Sequence, residues 1–161
     1  MNVCLDVRNE SSHKRLYTRS NLQRLAEQVC GGEGVHGSME LSVLFCGDAF
    51  IRQLNRQFRA VDAATDVLSF GQESAPSATE RVLGDVVISL DTVHRRSEGD
   101  RNAMRAELRL LFCHGVLHLL GHDHATETTR RAMAEKQAAY LDVSLEAAWI
   151  AESAANAAAK V

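Results

Sequence analysis

His114-Gly115-Val116-Leu117-His118-Leu119-Leu120-Gly121-His122-Asp123-His124 gathers four of the seven histidines of the chain into one short stretch. Residues four apart stand one above the other on a helix, so His114 and His118 share a face and can grip one metal ion. Gly121 takes up a left-handed backbone at low cost, which ends the helix and turns the chain back toward it. His124 can then reach the same ion. Three neutral histidines leave the fourth position of a tetrahedral zinc open to water, as in catalytic sites, whereas structural sites are closed by four protein ligands. A lone pair of histidines four apart is more often an ordinary buried or surface pair. The third histidine and the hinge glycine at this spacing are what point to a metal.

Two neighbours have less definite roles. His122 could replace His124 as ligand, but it follows the glycine directly and has less chain with which to swing back; it is expected to line the site or face solvent. Asp123 has two equally supported roles, orienting a liganding histidine from behind or capping the turn.

Working outward, the helix that carries His114 and His118 runs from about Asn102 to Leu120. Met104, Leu108, Leu111, Phe112 and Leu119 form its apolar anchor, and Glu107 lies on the histidine stripe. Upstream, Val3 to Val7 alternates as a short strand, and Ser11 and Ser12 offer caps for a helix to about Cys30, stopped by Gly31-Gly32. Leu41 to Cys46 is a second strand. Asp48 caps a helix whose inner stripe is Ile51, Leu54 and Phe58, with Arg52 and Arg56 on another face. Val67 to Phe70 and Val82 to Ile88 read as a hairpin of two further strands, the second interrupted at Gly84-Asp85. The loop between them, Gly71 to Arg81, holds the only proline. A short helix spans about Ser89 to Ser97. After the histidines, Thr126 caps a helix from about Glu127 to Leu141, and Ser144 caps an alanine-rich final helix packed through Trp149.

Four strands with helices before, between and after them predict an α+β, or mixed α/β, single domain over residues 1–161. A small four-stranded sheet would be packed with about five or six helices, the metal site lying on a central one. A chain of 161 residues is long enough for one buried core. Its 18 basic and 21 acidic residues give a net charge of −3, so any contact with nucleic acid needs a local basic surface. Cys4, Cys30, Cys46 and Cys113 are scattered without a CxxC pair, which suits free thiols in a reducing cytoplasm better than disulfides. The sequence offers neither a signal peptide nor an apolar run long enough to span a bilayer.

The spacing HxxxHxxGxxH is shared with the metzincin zinc peptidases, which carry a glutamate directly after the first histidine as general base. Here that position is Gly115, which cannot move a proton. The variant His-Gly-x-Leu-His-Leu-x-Gly-x-Asp-His instead resembles the signature of the YbeY family of rRNA maturation factors, metal-dependent endoribonucleases of bacteria and organelles. Two more blocks, in the same order, are similar to that family: Leu54-Asn55-Arg56-Gln57-Phe58-Arg59 with Asp62 and Thr65-Asp66-Val67-Leu68-Ser69-Phe70, and Leu83-Gly84-Asp85-Val86 through Ser89. Ala64 and Gly71 stand where the family usually has proline, a change in loop stiffness.

The resemblance implies that His114, His118 and His124 ligate one zinc ion (Zn2+) per chain and that Arg59 is the basic residue needed for activity. Taken alone, Arg59 would read as a surface salt bridge; as a planar fork it also suits a phosphate. The implied activity is a zinc-dependent, single-strand-specific endoribonuclease in rRNA processing (16S 3′-end maturation), with rRNA and the ribosome or its subunit as partners, and neither DNA nor membrane. With aromatic residues at 5% of the chain, extensive base stacking is not expected. Two alternatives remain: a non-catalytic, zinc-stabilised ribosome-assembly factor, and a metzincin-like peptidase, which Gly115 disfavours.

Overall fold

Alternation of apolar and polar residues builds the first two strands of the sheet, and the positions of their partners follow from it. In the computed structural model, which describes residues 1–72 and 81–150, β1 (Asn2–Asn9) buries Val3 and Leu5 while Cys4 and Asp6 stay exposed. β2 (Ser38–Cys46) buries Met39, Leu41, Val43 and Phe45 in the same rhythm. The two strands run parallel, joined by α1 (Arg19–Gly32). After α2 (Asp48–Arg59) come β3 (Val67–Gly71) and β4 (Arg81–Ser89), an antiparallel pair. β4 also pairs parallel with β2, so the sheet order is β1-β2-β4-β3, and the edge strand β3 alone runs against the others. The chain then continues as α3 (Leu90–Arg96), α4 (Arg101–Leu119), α5 (Glu127–Leu141) and α6 (Leu145–Ala148).

The expected class therefore holds: a four-stranded mixed sheet with helices on both faces. On one face, α1 and α4 pack Leu22, Leu25, Leu108, Leu111 and Phe112 against Leu5, Val43, Phe45, Val86 and Ile88. On the other, Ile51 of α2 closes a smaller cluster with Cys46, Leu68 and Val87. α4 is the spine of the larger core, with every residue from Leu111 to Leu117 buried. Full burial of each such large apolar side chain contributes about 1.5–3 kcal/mol.

The interruption read at Gly84 is a β-bulge. Glu40 pairs with Val82 but Leu41 pairs with Gly84, leaving Leu83 as the extra residue. Gly84 sits at φ 142°, with the Phe70 carbonyl where a Cβ would be. Only glycine fits there.

Several local expectations are corrected. α1 starts at Arg19 and is capped by Thr18, whose hydroxyl accepts from the Asn21 amide at 3.3 Å. Ser11 does not cap it: Ser11 is buried, with its amide and hydroxyl bound to the Asn9 side chain at 2.9 and 2.7 Å. Gly31 and Gly32 do not stop α1 but form its last turn, where Gly32 lets the Tyr140 ring lie against the backbone. Asp48 is the first residue of α2 rather than its cap, and Gly47 precedes it. The inner stripe of α2 holds Ile51 and the polar Asn55, whereas Phe58 is 57% exposed. Arg52 pairs with Asp62 on the surface at 2.9 Å. The last helix is a single turn, and Trp149 is 38% exposed beside a groove shared with Leu110 and Leu141. Most of the proline loop (73–80) and the end of the alanine-rich tail (151–161) lie outside the described residues.

Candidate metal centre

α4 is fixed at both ends. At its start the Asp100 carboxylate accepts from the Ala103 amide at 2.8 Å. At its end Gly121, at φ 98°, donates its amide to the His118 carbonyl (3.0 Å), and His122 donates to that of Leu117 (3.1 Å). These paired bonds form a Schellman motif, which satisfies the last carbonyls and reverses the chain. The reversal brings the His124 ring to 5.1 Å from that of His114 and 4.7 Å from that of His118, centroid to centroid. His114 and His118 rings are 4.5 Å apart, their Nε2 atoms at 2.9 Å. One nitrogen from each of the three histidines lies within 4.8 Å of the others. Ligand nitrogens around a tetrahedral zinc stand roughly 3.3 Å apart, so the three donors already surround a point that suits such an ion.

The direction of the first ring is set from α5, a feature the sequence reading missed. Nδ1 of the buried His114 donates to Oε1 of Gln137 at 2.8 Å. The orientation of that amide is fixed in turn, because its Nε2 donates to the Ala148 carbonyl at 2.8 Å and a carbonyl can only accept. With its proton held on Nδ1, His114 turns a bare Nε2 toward the other histidines. Burial also keeps the His114 and His118 rings neutral. It pushes the His114 pKa down to about 4, and burial together with the neighbouring His114, His124 and Arg59 pushes His118 to about 3. Neutral imidazole is the form that binds metal, and this donor set fits a zinc-type ion with a side left open.

His122 neither lines this point nor faces solvent freely. Its Nε2 donates to the Glu33 carboxylate, which also accepts from Tyr140 and, at 3.1 Å, from Lys136. Glu33 is only 8% exposed, so the C-terminus of α1 grips the loop between the second and third histidines. Of the two roles open to Asp123, the structure has the turn: its carboxylate accepts from the Ala125 amide at 3.3 Å and bonds Thr129. Glu107 turns away to Arg96 at 3.0 Å, and Arg96 also holds the buried Asp66 at 2.8 Å. Cys113 is no ligand candidate, since burial pushes its thiol up to about 12.

Arg59 closes α2 at the rim of an open cleft of about 580 Å³, bounded also by Phe58, Ser69 and Phe70. Its Nη2 donates to the Ser69 carbonyl at 2.8 Å and its guanidinium lies 5.7 Å from the Phe70 ring centre. Ser69 in turn donates its hydroxyl to the Gly115 carbonyl at 3.1 Å, which ties β3 to the histidine helix. Among the described residues Arg59 forms no ion pair. Gly115 itself faces the sheet: a Cβ there would stand 2.6 Å from Cγ1 of Val86 and 3.2 Å from the Ser69 hydroxyl. The glycine that lacks a proton-moving group thus also lets α4 pack tightly on Val86 of β4.

The chain was compared with known proteins. A family model described as Endoribonuclease YbeY matches residues 6–144. The Endoribonuclease YbeY of Anaeromyxobacter sp. (strain Fw109-5) is 46% identical over 136 residues, covering 83% of this chain and 69% of that protein. That of Pelotomaculum thermopropionicum is 47% identical over 120 residues, 72% of this chain and 79% of its own length. The Bacillus subtilis protein of the same description is 32% identical over 150 residues, with 88% and 96% covered. Among solved structures, the solution structure of TM1509 from Thermotoga maritima superposes with a TM-score of 0.58 at 26% identity, over 91% of this chain and 89% of that one.

Proposed function

The chain belongs to the Endoribonuclease YbeY family, and from that premise we propose that it is a zinc-dependent endoribonuclease that cuts single-stranded RNA. The observation that carries this reading is the convergence of three histidine nitrogens on one point, with Arg59, which forms no ion pair among the described residues, at the rim of the adjoining cleft. His114, His118 and His124 would hold the ion, and Gln137 orients the first of them. Lewis-acid stabilisation of the charge that builds at the scissile phosphate is the chemistry such an ion would supply. Arg59 receives the non-bridging phosphate oxygens, where charge builds up as the diester is cleaved, with a fork that cannot lose its proton. The ion site is recessed, since His114 is only 5% exposed; an unpaired strand can thread past it where a rigid duplex cannot.

The substrate we assign is ribosomal RNA, at the maturation of the 16S 3′ end, with the ribosome or its subunit as the setting and the cytoplasm as the compartment. Buried free thiols at Cys30, Cys46 and Cys113 suit a reducing compartment, and no helix among the described residues is long and apolar enough to cross a membrane. A peptidase reading has no support in the site, because a carboxylate side chain at position 115 would run into Val86.

The test is to incubate the purified protein with single-stranded RNA, duplex RNA and casein, each with and without chelator. Cleavage of single-stranded RNA alone, abolished by chelator, is the expected result. Zinc-bearing protein that cuts no RNA would favour the assembly-factor alternative. Chelator-sensitive casein hydrolysis would overturn the reading.

A further inference from the structure

We propose that the exposed ring of Phe58 is a stacking platform for one unpaired nucleobase, placed next to the phosphate contact of Arg59. The inference rests on the reading of this cleft as the RNA site.

The helical spacing of Ile51, Leu54 and Phe58 assigns all three to the core. Ile51 obeys and is fully buried, but Phe58 is 57% exposed, one of the few large apolar side chains left in water. It is not a stray ring. Phe70 meets it at 5.3 Å between centroids with the planes at 65°, an edge contact of the kind aromatic pairs prefer. Phe70 is steadied in turn by the Arg59 guanidinium at 5.7 Å, and Arg59 by the Ser69 carbonyl. Phe58 is thus held against a braced neighbour while more than half of its surface remains open. The platform exists before any ligand arrives.

What surrounds the ring selects the occupant. Arg56 and Arg59 make the last turn of α2 basic, although the whole chain carries −3. Gln57 and Ser69 supply polar atoms to the same cleft. An apolar peptide would find the positive charge of Arg59 at its border; a flat ring attached to a phosphate would find a partner for each part. Phe58 and Arg59 are adjacent in sequence, so their side chains leave the helix about 100° apart from neighbouring Cα atoms. Two phenylalanines placed here offset the low aromatic content of the chain, from which little stacking is expected. Every base has a π-face, so the subsite tolerates any sequence and favours the larger purines modestly.

Phe58→Ala and Phe58→Trp test this, since an exposed residue can be changed without unfolding the chain, and circular dichroism and zinc content should match the parent. With a single-stranded oligoribonucleotide as substrate, Phe58→Ala is expected to raise KM roughly 5- to 100-fold, the range of one lost base stack, with kcat changed less than about twofold. In chelator, where nothing is cut, the indole of Phe58→Trp should be quenched by the oligonucleotide beyond the change seen for Trp149 in the parent. An unchanged KM without quenching, while the parent still cleaves, overturns the stacking site and leaves the nuclease reading intact. A fall in kcat at constant KM also overturns it, since the ring would then only brace Arg59. A parent that cuts no RNA with zinc bound overturns the nuclease reading, and this inference with it.

Discussion

Gln137 Oε1 lies 2.8 Å from Nδ1 of His114, and that bond decides which nitrogen of the buried ring faces the other two histidines. The partner comes from α5, and its own amide is fixed by the Ala148 carbonyl. The arrangement of the three histidines thus depends on a residue outside the triad. Gln137→Leu keeps the volume but removes the acceptor, and zinc affinity should fall about 10- to 100-fold. Competition with a chromophoric chelator measures it; an unchanged affinity would show that packing alone orients the ring.

His122 and His124 should respond in opposite ways. His124→Ala is expected to lose most of the zinc, whereas His122→Ala keeps close to one ion per chain by elemental analysis, because His122 turns to Glu33. Glu33→Ala strips the acceptor from His122, Lys136 and Tyr140 together. His122 and Lys136 stay 31% and 40% open to water, so losing these part-buried bonds costs only about 1–2 kcal/mol, to be read from urea unfolding of the zinc-free proteins. Zinc loss in His122→Ala but not in His124→Ala would reverse the ligand assignment.

Arg59→Glu should retain zinc and the parent's circular dichroism yet lose RNA cleavage, because it sets a negative charge where phosphate must sit. The side chain is exposed and bonded to one carbonyl, so the fold does not depend on it. Cleavage near the parent rate would return Arg59 to the ordinary surface.

Gly115→Ala places a methyl group against Val86 and Ser69. Overpacking of this kind costs about 1–3 kcal/mol, seen as a Tm lowered by several degrees. Gly115→Glu should be worse and should not hydrolyse casein, since its carboxylate would be driven into β4 rather than toward the ion. A Gly115→Ala protein as stable as the parent would mean that α4 can shift away from the sheet at no cost.

Asp48 gives a pH dependence with a definite sign. Partial burial raises its pKa, but hydrogen bonds from Ser89 (2.7 Å), Arg95 (2.9 Å) and Thr92 (2.8 Å) outweigh burial and hold the carboxyl below the ordinary carboxylate range. A depressed folded pKa stabilises the protein fully above the unfolded value of ~3.9, and the gain is lost as pH falls through the folded value. Asp48→Asn should therefore be less stable by about 1–2 kcal/mol at pH 7, with the gap to the parent closing below about pH 4. Urea midpoints across that range check it; a gap independent of pH would assign the loss to packing.

What could be read from the sequence is local in chain or periodic. The histidine stretch needs only a helix and a left-handed glycine, and both are present at Gly121. The first strand announced itself by alternation, the second by its apolar content, and the interruption of the fourth by its glycine. Gln137 was missed because it sits 23 residues beyond His114 and acts through a contact between helices. Its signal was a polar residue on the stripe of Met133 and Ala134, the buried side of α5. Phe58 misled for the opposite reason. Periodicity places it on an apolar stripe, but it cannot see that the ring meets Phe70 edge-on and stays 57% exposed. Ser11 looked like a cap because caps and tight turns use the same residues.

All three imidazoles come from one helix end and the loop after it, so bringing them together closes only a short stretch of chain, at little entropic cost. Arg59 belongs to α2 and reaches the site through β3, which must first pair with β4 and bond to Gly115. These contacts are distant in sequence and form late. On the proposed reading, a chain whose β3 has not yet paired with β4 would have its histidines near one another without the Arg59 that is to hold the phosphate. Such a partly folded copy would bind an ion without cutting the RNA beside it.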